Sequence, residues 1–161
     1  MVLSQHVQIL SSFVRILMHK VANVIQAGIN IPILHIADVT AQEVISNEII
    51  IVGLLGTKYT MEQDFYKSRL EAKGIKVLIP KENDRVIVNT VIYNELCLGQ
   101  IVDESRAGFK RIIEDLKEQG AAGIILGCTE IGLLVKPGDS TVPLFDTTLL
   151  HALGAVNFAL E

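Results

Sequence analysis

The sequence predicts an α/β fold, with a mainly parallel sheet and helices on both faces. Three observations carry this. Short β-branched apolar runs recur along the chain, longer helical patterns separate them, and the runs lack strict polar alternation. Strands that stay apolar on both sides are strands covered on both faces, and the helices between successive strands supply the cover. Right-handed crossovers then bring all strand carboxyl ends to one edge, where ligands of such sheets gather.

The elements follow in order. Residues 1–20, MVLSQHVQILSSFVRILMHK, predict an amphipathic helix with Val7, Leu10, Phe13, Val14 and Leu17 on one face. Ser4, Gln5, His6, Gln8, Ser11, Ser12 and Arg15 interrupt it, so no apolar run reaches membrane-spanning length. It has neither a basic start nor a small-residue cleavage site, so no signal peptide is expected. Ile33 to Ile36 predicts the first strand. Thr40 and Glu43 have capping-box spacing ahead of Val44 and Ile45, which places a helix start there. Ile49 to Leu55 predicts the second strand. Thr60 and Gln63 repeat the capping spacing and open a helix through Met61, Phe65 and Leu70 that stops at Gly74. Lys76 to Ile79 is the third strand. Val88, Val91, Ile92 and Leu96 mark a helix ending at Gly99. Phe109, Ile112, Ile113 and Leu116 mark another, ending at Gly120. Gly123 to Leu126 and Val142 to Phe145 are the last strands. Leu149, Leu153, Val156 and Leu160 mark the final helix.

Composition narrows the function. The 161 residues suit one domain, and half are hydrophobic. The mean hydropathy of +0.43 leaves apolar surface to spare. The net charge of −4 comes without a basic block, which argues against a nucleic-acid partner. Two cysteines without a CxxC pair argue against a disulfide scaffold or a zinc site and fit a reducing cytoplasm. No GxGxxG or GxxxxGK[ST] loop is present and Lys58 is no obvious Schiff-base lysine, so no cofactor or metal is indicated.

Two strand ends carry candidate chemistry. In Leu54-Leu55-Gly56-Thr57-Lys58-Tyr59-Thr60, Gly56 permits a tight turn. Thr57 and Thr60 offer hydroxyls, and the next helix opens with unpaired N–H groups, a combination that suits a carboxylate or phosphate. On composition alone, plain helix capping by Thr60 is the better reading, because such turns are common. The second end is Cys128 in Gly127-Cys128-Thr129-Glu130. A thiol between a strand and a helix N-terminus feels the positive end of the dipole, which favours thiolate. Most cysteines are small buried hydrophobes, but the polar cluster at the ligand edge favours a functional Cys128. Cys97, on a helical pattern among apolar neighbours, reads as core packing. His35 lies inside an apolar strand and reads as a core histidine. His19, beside Lys20, is expected near a helix surface, and His151 is open to either face.

Three separated motifs in order carry a resemblance. Leu55-Gly56-Thr57-Lys58-Tyr59-Thr60-Met61-Glu62-Gln63-Asp64-Phe65-Tyr66, Gly127-Cys128-Thr129-Glu130-Ile131 and Phe145-Asp146-Thr147-Thr148 resemble the aspartate/glutamate racemase family, aspartate racemases above all, from about Met18 to the C-terminus. The resemblance implies two similar α/β domains facing a cleft, one cysteine from each, and neither pyridoxal phosphate nor metal. One thiolate removes the α-proton of an acidic amino acid and the opposite thiol returns one, inverting the centre. It assigns Cys128 as the second-domain cysteine. Thr129 and Glu130 would contact or orient the substrate, and Thr57 and Thr60 would hold the α-carboxylate with their backbone amides.

The pattern breaks at the first cysteine. The family has Cys-Thr-Asn-Thr before Met-His-Lys; here Val14-Arg15-Ile16-Leu17 precede Met18-His19-Lys20, and Val14 stands at the cysteine position. The resemblance therefore implies one racemase-type domain plus a remnant of the other. Residues 1–47 would be the N-terminal remnant (helix, strand, helix), and residues 48–161 the C-terminal domain, with the last helix packing back on the remnant. A cytoplasmic homodimer that binds an acidic amino acid, and neither nucleic acid nor membrane, is expected. So is impaired racemisation, since Cys128 has no evident partner thiol. Two further readings stay open: a non-catalytic remnant or carboxylate-binding domain, and single-cysteine chemistry on a dicarboxylic acid.

Overall fold

Two central strands buried on both faces organise the molecule, and the computed structural model describes residues 16–160. A 3₁₀ helix, Ile16–Val21, leads into α1 (Ala22–Ala27) and α2 (Ile36–Ser46). Then come β1 (Ile51–Gly56), α3 (Lys58–Glu62), α4 (Asp64–Glu71), β2 (Lys76–Leu78) and α5 (Glu82–Asn94). A second 3₁₀ turn, Leu96–Leu98, precedes α6 (Asp103–Glu118), β3 (Gly123–Gly127), α7 (Ile131–Leu134), β4 (Leu144–Asp146) and α8 (Thr147–Leu160). Among the described residues the four strands form one wholly parallel sheet, ordered β2-β1-β3-β4.

Side chains leave a strand on alternate sides, so β1 and β3 feed two cores. Val52, Leu54 and Ile125 enter one with Ile36, Ala41 and Val44 of α2 and Tyr66 and Leu70 of α4. Leu55, Ile124 and Leu126 enter the other with Val88 and Ile92 of α5 and Phe109, Ile112, Ile113 and Leu116 of α6. Burying one such side chain contributes roughly 1.5–3 kcal/mol. The apolar lines predicted for α5 and α6 are those that face the sheet. Gly74 and Gly120 stop their helices as predicted, with φ of 83° and 104°, a left-handed backbone that glycine adopts without strain.

The structure corrects several local expectations. Residues 33–35 form no strand; α2 begins at Ile36, and the His35 side chain caps it by accepting from the Ala37 N–H at 3.2 Å. Thr40 is therefore no cap. It lies inside α2 and donates to the Ile36 carbonyl at 2.8 Å. Thr57, rather than Thr60, caps α3, and the helix predicted to run on to Gly74 is broken at Gln63 into α3 and α4. The last strand pairs over residues 144–146, slightly beyond its predicted span. Leu149, Leu153, Val156 and Leu160 mark α8 correctly as a helix but lie 51–81% exposed. The helix packs instead through His151, whose Nε2 lies 2.9 Å from the Leu34 carbonyl, and through Gly154, whose missing Cβ would sit 2.9 Å from Val39. In this way α8 packs on α2, which itself shares a core with the sheet. Of the predicted N-terminal helix only its end, residues 16–20, lies within the described residues; of its apolar line that includes Leu17, while Val7, Leu10, Phe13 and Val14 lie outside. No described helix is long and apolar enough to cross a membrane.

Candidate functional site

The strand order reverses between β1 and β3: the chain moves from β1 outward to β2, then returns to the other side of β1. Helices diverge at such a reversal and leave a crevice at the carboxyl ends. Gly56 and Gly127 end the two strands side by side, in register. They must be glycine because the backbones nearly touch: a Cβ on Gly56 would sit 2.8 Å from the Gly127 carbonyl oxygen, and one on Gly127 would sit 2.9 Å from that of Leu55. The next residues, Thr57 and Cys128, open a cavity of about 360 Å³.

All five predicted site residues, Thr57, Thr60, Cys128, Thr129 and Glu130, line this cavity. Thr57 Oγ1 accepts from the Thr60 N–H at 3.4 Å, and the two hydroxyls lie 3.2 Å apart. The Lys58 N–H donates to Asn89 Oδ1 at 2.8 Å. Two amides expected to face a ligand are thus already engaged, which moves the polar role at this turn to the hydroxyl pair. Across from it, Cys128 Sγ donates to Glu130 Oε2 at 2.9 Å, and Thr129 Oγ1 donates to the same oxygen at 2.6 Å.

This arrangement overturns the expectation of a thiolate. Burial first, and the Glu130 carboxylate second, push the Cys128 thiol up to about 12. The helix behind it, α7, is one turn long, and its dipole does not offset a half-buried neighbouring carboxylate. Cys128 therefore rests as a thiol, an acid held in place by its acceptor.

The structure also corrects the reading of Cys97. The residue is exposed, not core, and lines the same cavity. A 3₁₀ turn follows α5 and buries Leu96 while turning Cys97 outward. Tyr93 of α5 stands beside it on the wall, its phenol pushed up by burial and by the neighbouring thiols, Tyr59 and Glu130. Ile16, Leu17 and Ile92 supply apolar wall. Sequence periodicity contained a signal for Tyr93 and Cys97: they lie off the line of Val88, Val91 and Ile92 that faces the core. The Asp146-Thr147-Thr148 motif spans the end of β4 and the start of α8. Asp146 Oδ1 accepts from the Thr148 and Leu149 N–H groups, and Thr147 ties α8 to the Leu126 carbonyl.

The three described histidines lie elsewhere. His19 was expected at the surface but is buried, as are His35 and His151. The ring of His19 lies 4.5 Å from that of His35 and 5.4 Å from that of His151. A larger cavity of about 520 Å³ between α2 and α8 carries no thiol, and no metal-binding group of side chains occurs among the described residues.

Comparison with known proteins identifies the family and the fold. Residues 17–155 match the Asp/Glu/Hydantoin racemase family. A Yersinia pestis protein assigned to the Asp/Glu racemases superposes with a TM-score of 0.87 and 53% identity, over 90% of this chain and 64% of that one. An aspartate racemase homologue from Pyrococcus horikoshii OT3 superposes at 0.83 with 35% identity, over the same shares. The aspartate racemase of Picrophilus torridus, 19% identical, shares the fold at 0.63 over 81% of this chain and 54% of its own. The chain thus spans just under two thirds of the length of the first two relatives.

Proposed function

Because this chain belongs to the Asp/Glu/hydantoin racemase family, we propose that its cavity holds an amino acid of the aspartate or glutamate type and exchanges the α-proton at Cys128, with neither pyridoxal phosphate nor metal. One observation carries the reading: a half-buried acid, Cys128, shares a cavity with the Thr57–Thr60 hydroxyl pair at the reversal point of the sheet. The α-carboxylate would accept from the hydroxyls. The α-ammonium would sit against Glu130 and supply the positive charge that the described lining lacks. An ammonium there offsets the Glu130 charge and lowers the cost of a Cys128 thiolate.

Removal of an α-proton leaves a carbanion whose electron pair moves into the carboxylate. Donors aimed at that carboxylate lower the barrier. Cys128 takes or returns the proton on one face of Cα. With Val14 at the position of the family's first cysteine, inversion is expected to be slow compared with exchange on that face. A second reading, a carboxylate-binding domain without turnover, draws support from the protonated resting state of Cys128.

Incubation with the L and D forms of aspartate and glutamate in D₂O separates the two. Deuterium at Cα without added cofactor, abolished for at least one enantiomer in Cys128→Ala, supports the catalytic reading. Saturable binding by calorimetry with no deuterium uptake refutes it in favour of the binding domain.

A further inference from the structure

Inversion needs proton-carrying groups on both faces of Cα, and the cavity limits the choice. Besides Cys128, its described lining offers Tyr93, Cys97, Glu130 and three threonine hydroxyls. Threonine hydroxyls are far too weak as acids to exchange a proton near neutrality. Glu130 is bound to Cys128 Sγ and Thr129 Oγ1 at once, so it works on the same side as Cys128. Tyr93, held protonated, is a poor base. Cys97 reaches the cavity from a different layer. Cys128 follows β3 in the sheet, whereas the 3₁₀ turn after α5 presents Cys97 from the helical layer, with Leu96 anchored in the core beneath it.

We infer that Cys97 is the second proton-transferring group of this site, acting on the face of Cα opposite Cys128. The inference rests on the α-proton reading above. In one direction the Cys97 thiolate takes the α-hydrogen: the C–H bond breaks, an S–H bond forms, and the electron pair passes into the carboxylate. The Cys128 S–H bond then breaks, its proton joins Cα from the other side, and the pair stays on sulfur. One proton has moved from Cys128 to Cys97 with no net oxidation. The reverse turnover, or exchange with water, resets the pair.

The test follows each enantiomer separately in D₂O with the whole chain, Cys97→Ala, Cys97→Ser and Cys128→Ala. Cys97 is exposed, so its substitution opens no core cavity, and circular dichroism checks the fold. Loss of one positioned acid/base predicts inversion slowed by about 10²-fold or more in Cys97→Ala and Cys97→Ser. These variants should still deuterate one enantiomer, the one whose α-hydrogen faces Cys128, and Cys128→Ala only the other. That mirror pattern is what a merely structural cysteine cannot produce. Unchanged inversion in Cys97→Ala, or retention of the same enantiomer in both alanine variants, overturns the role of Cys97 alone. A wild-type chain that deuterates only one enantiomer also overturns it. A wild-type chain that deuterates neither overturns the α-proton reading and this inference together.

Discussion

Replacing Glu130 with glutamine tests the electrostatics of the site directly. The carboxylate accepts from Cys128 Sγ at 2.9 Å, and a negative charge there opposes a second one on sulfur. Glutamine keeps the size and an acceptor oxygen but removes the charge. Burial, the largest cause of the raised thiol, remains, and so does an acceptor for its hydrogen; the Glu130 charge, which strengthens that hydrogen bond and repels a thiolate, goes. The thiol should therefore drop from about 12 by roughly one unit, raising the thiolate fraction at fixed pH about tenfold. A less basic thiolate is also a poorer nucleophile, with a Brønsted slope of about 0.4–0.5. Alkylation of Cys128 should then accelerate by about three- to fourfold. The assay is iodoacetamide labelling between pH 7 and 10, followed by mass spectrometry. Both proteins carry Cys97→Ala, because Cys97 also raises the Cys128 thiol and would compete for reagent. Equal or slower labelling in Glu130→Gln would refute the reasoning, since it would mean that the carboxylate does not oppose the thiolate.

Three further substitutions probe the scaffold. Burial, then His19, Arg69 and His151, push His35 from 6.5 down to about 3, so between those values the unfolded chain binds a proton that the native one excludes. Stability should hold above pH 6.5 and fall as the pH drops toward 3, by at most about 1.4 kcal/mol per pH unit for this group. Urea titrations from pH 7 to pH 4 should show the slope flattening in His35→Asn, which retains a capping acceptor for α2; an unchanged slope counts against His35. Gly56→Ala places a Cβ against the Gly127 carbonyl, a backbone atom that cannot rotate away, and should cost about 1–3 kcal/mol. Gly108→Ala in α6 meets open space and should stabilise by up to about 1 kcal/mol. Equal denaturation midpoints for the two variants would contradict the close approach of β1 and β3.

By itself the sequence determined the features that depend on neighbours along the chain. Apolar runs without alternation specified strands covered on both faces, and the apolar line of α6 specified its buried side. Glycines at positions 74 and 120 stopped their helices because the local backbone requires a left-handed residue. The order strand, Gly56, Thr57 and strand, Gly127, Cys128 sufficed to send both loops to one edge, since parallel strands share an exit. Only the tertiary structure decided what depends on distant neighbours. An apolar repeat shows that a helix has a face but not that the face meets a core, and in α8 the repeat looks outward. His35 and Cys97 sit in apolar stretches of sequence, yet one caps a helix and the other faces a cavity, because the start of α2 after His35 and the 3₁₀ turn that holds Cys97 set their direction. The proton affinity of Cys128 was beyond local reasoning for the same cause. A helix start two residues away argued for a thiolate, but burial by the assembled layers and the folded-back Glu130 carboxylate are stronger, and they hold the sulfur protonated.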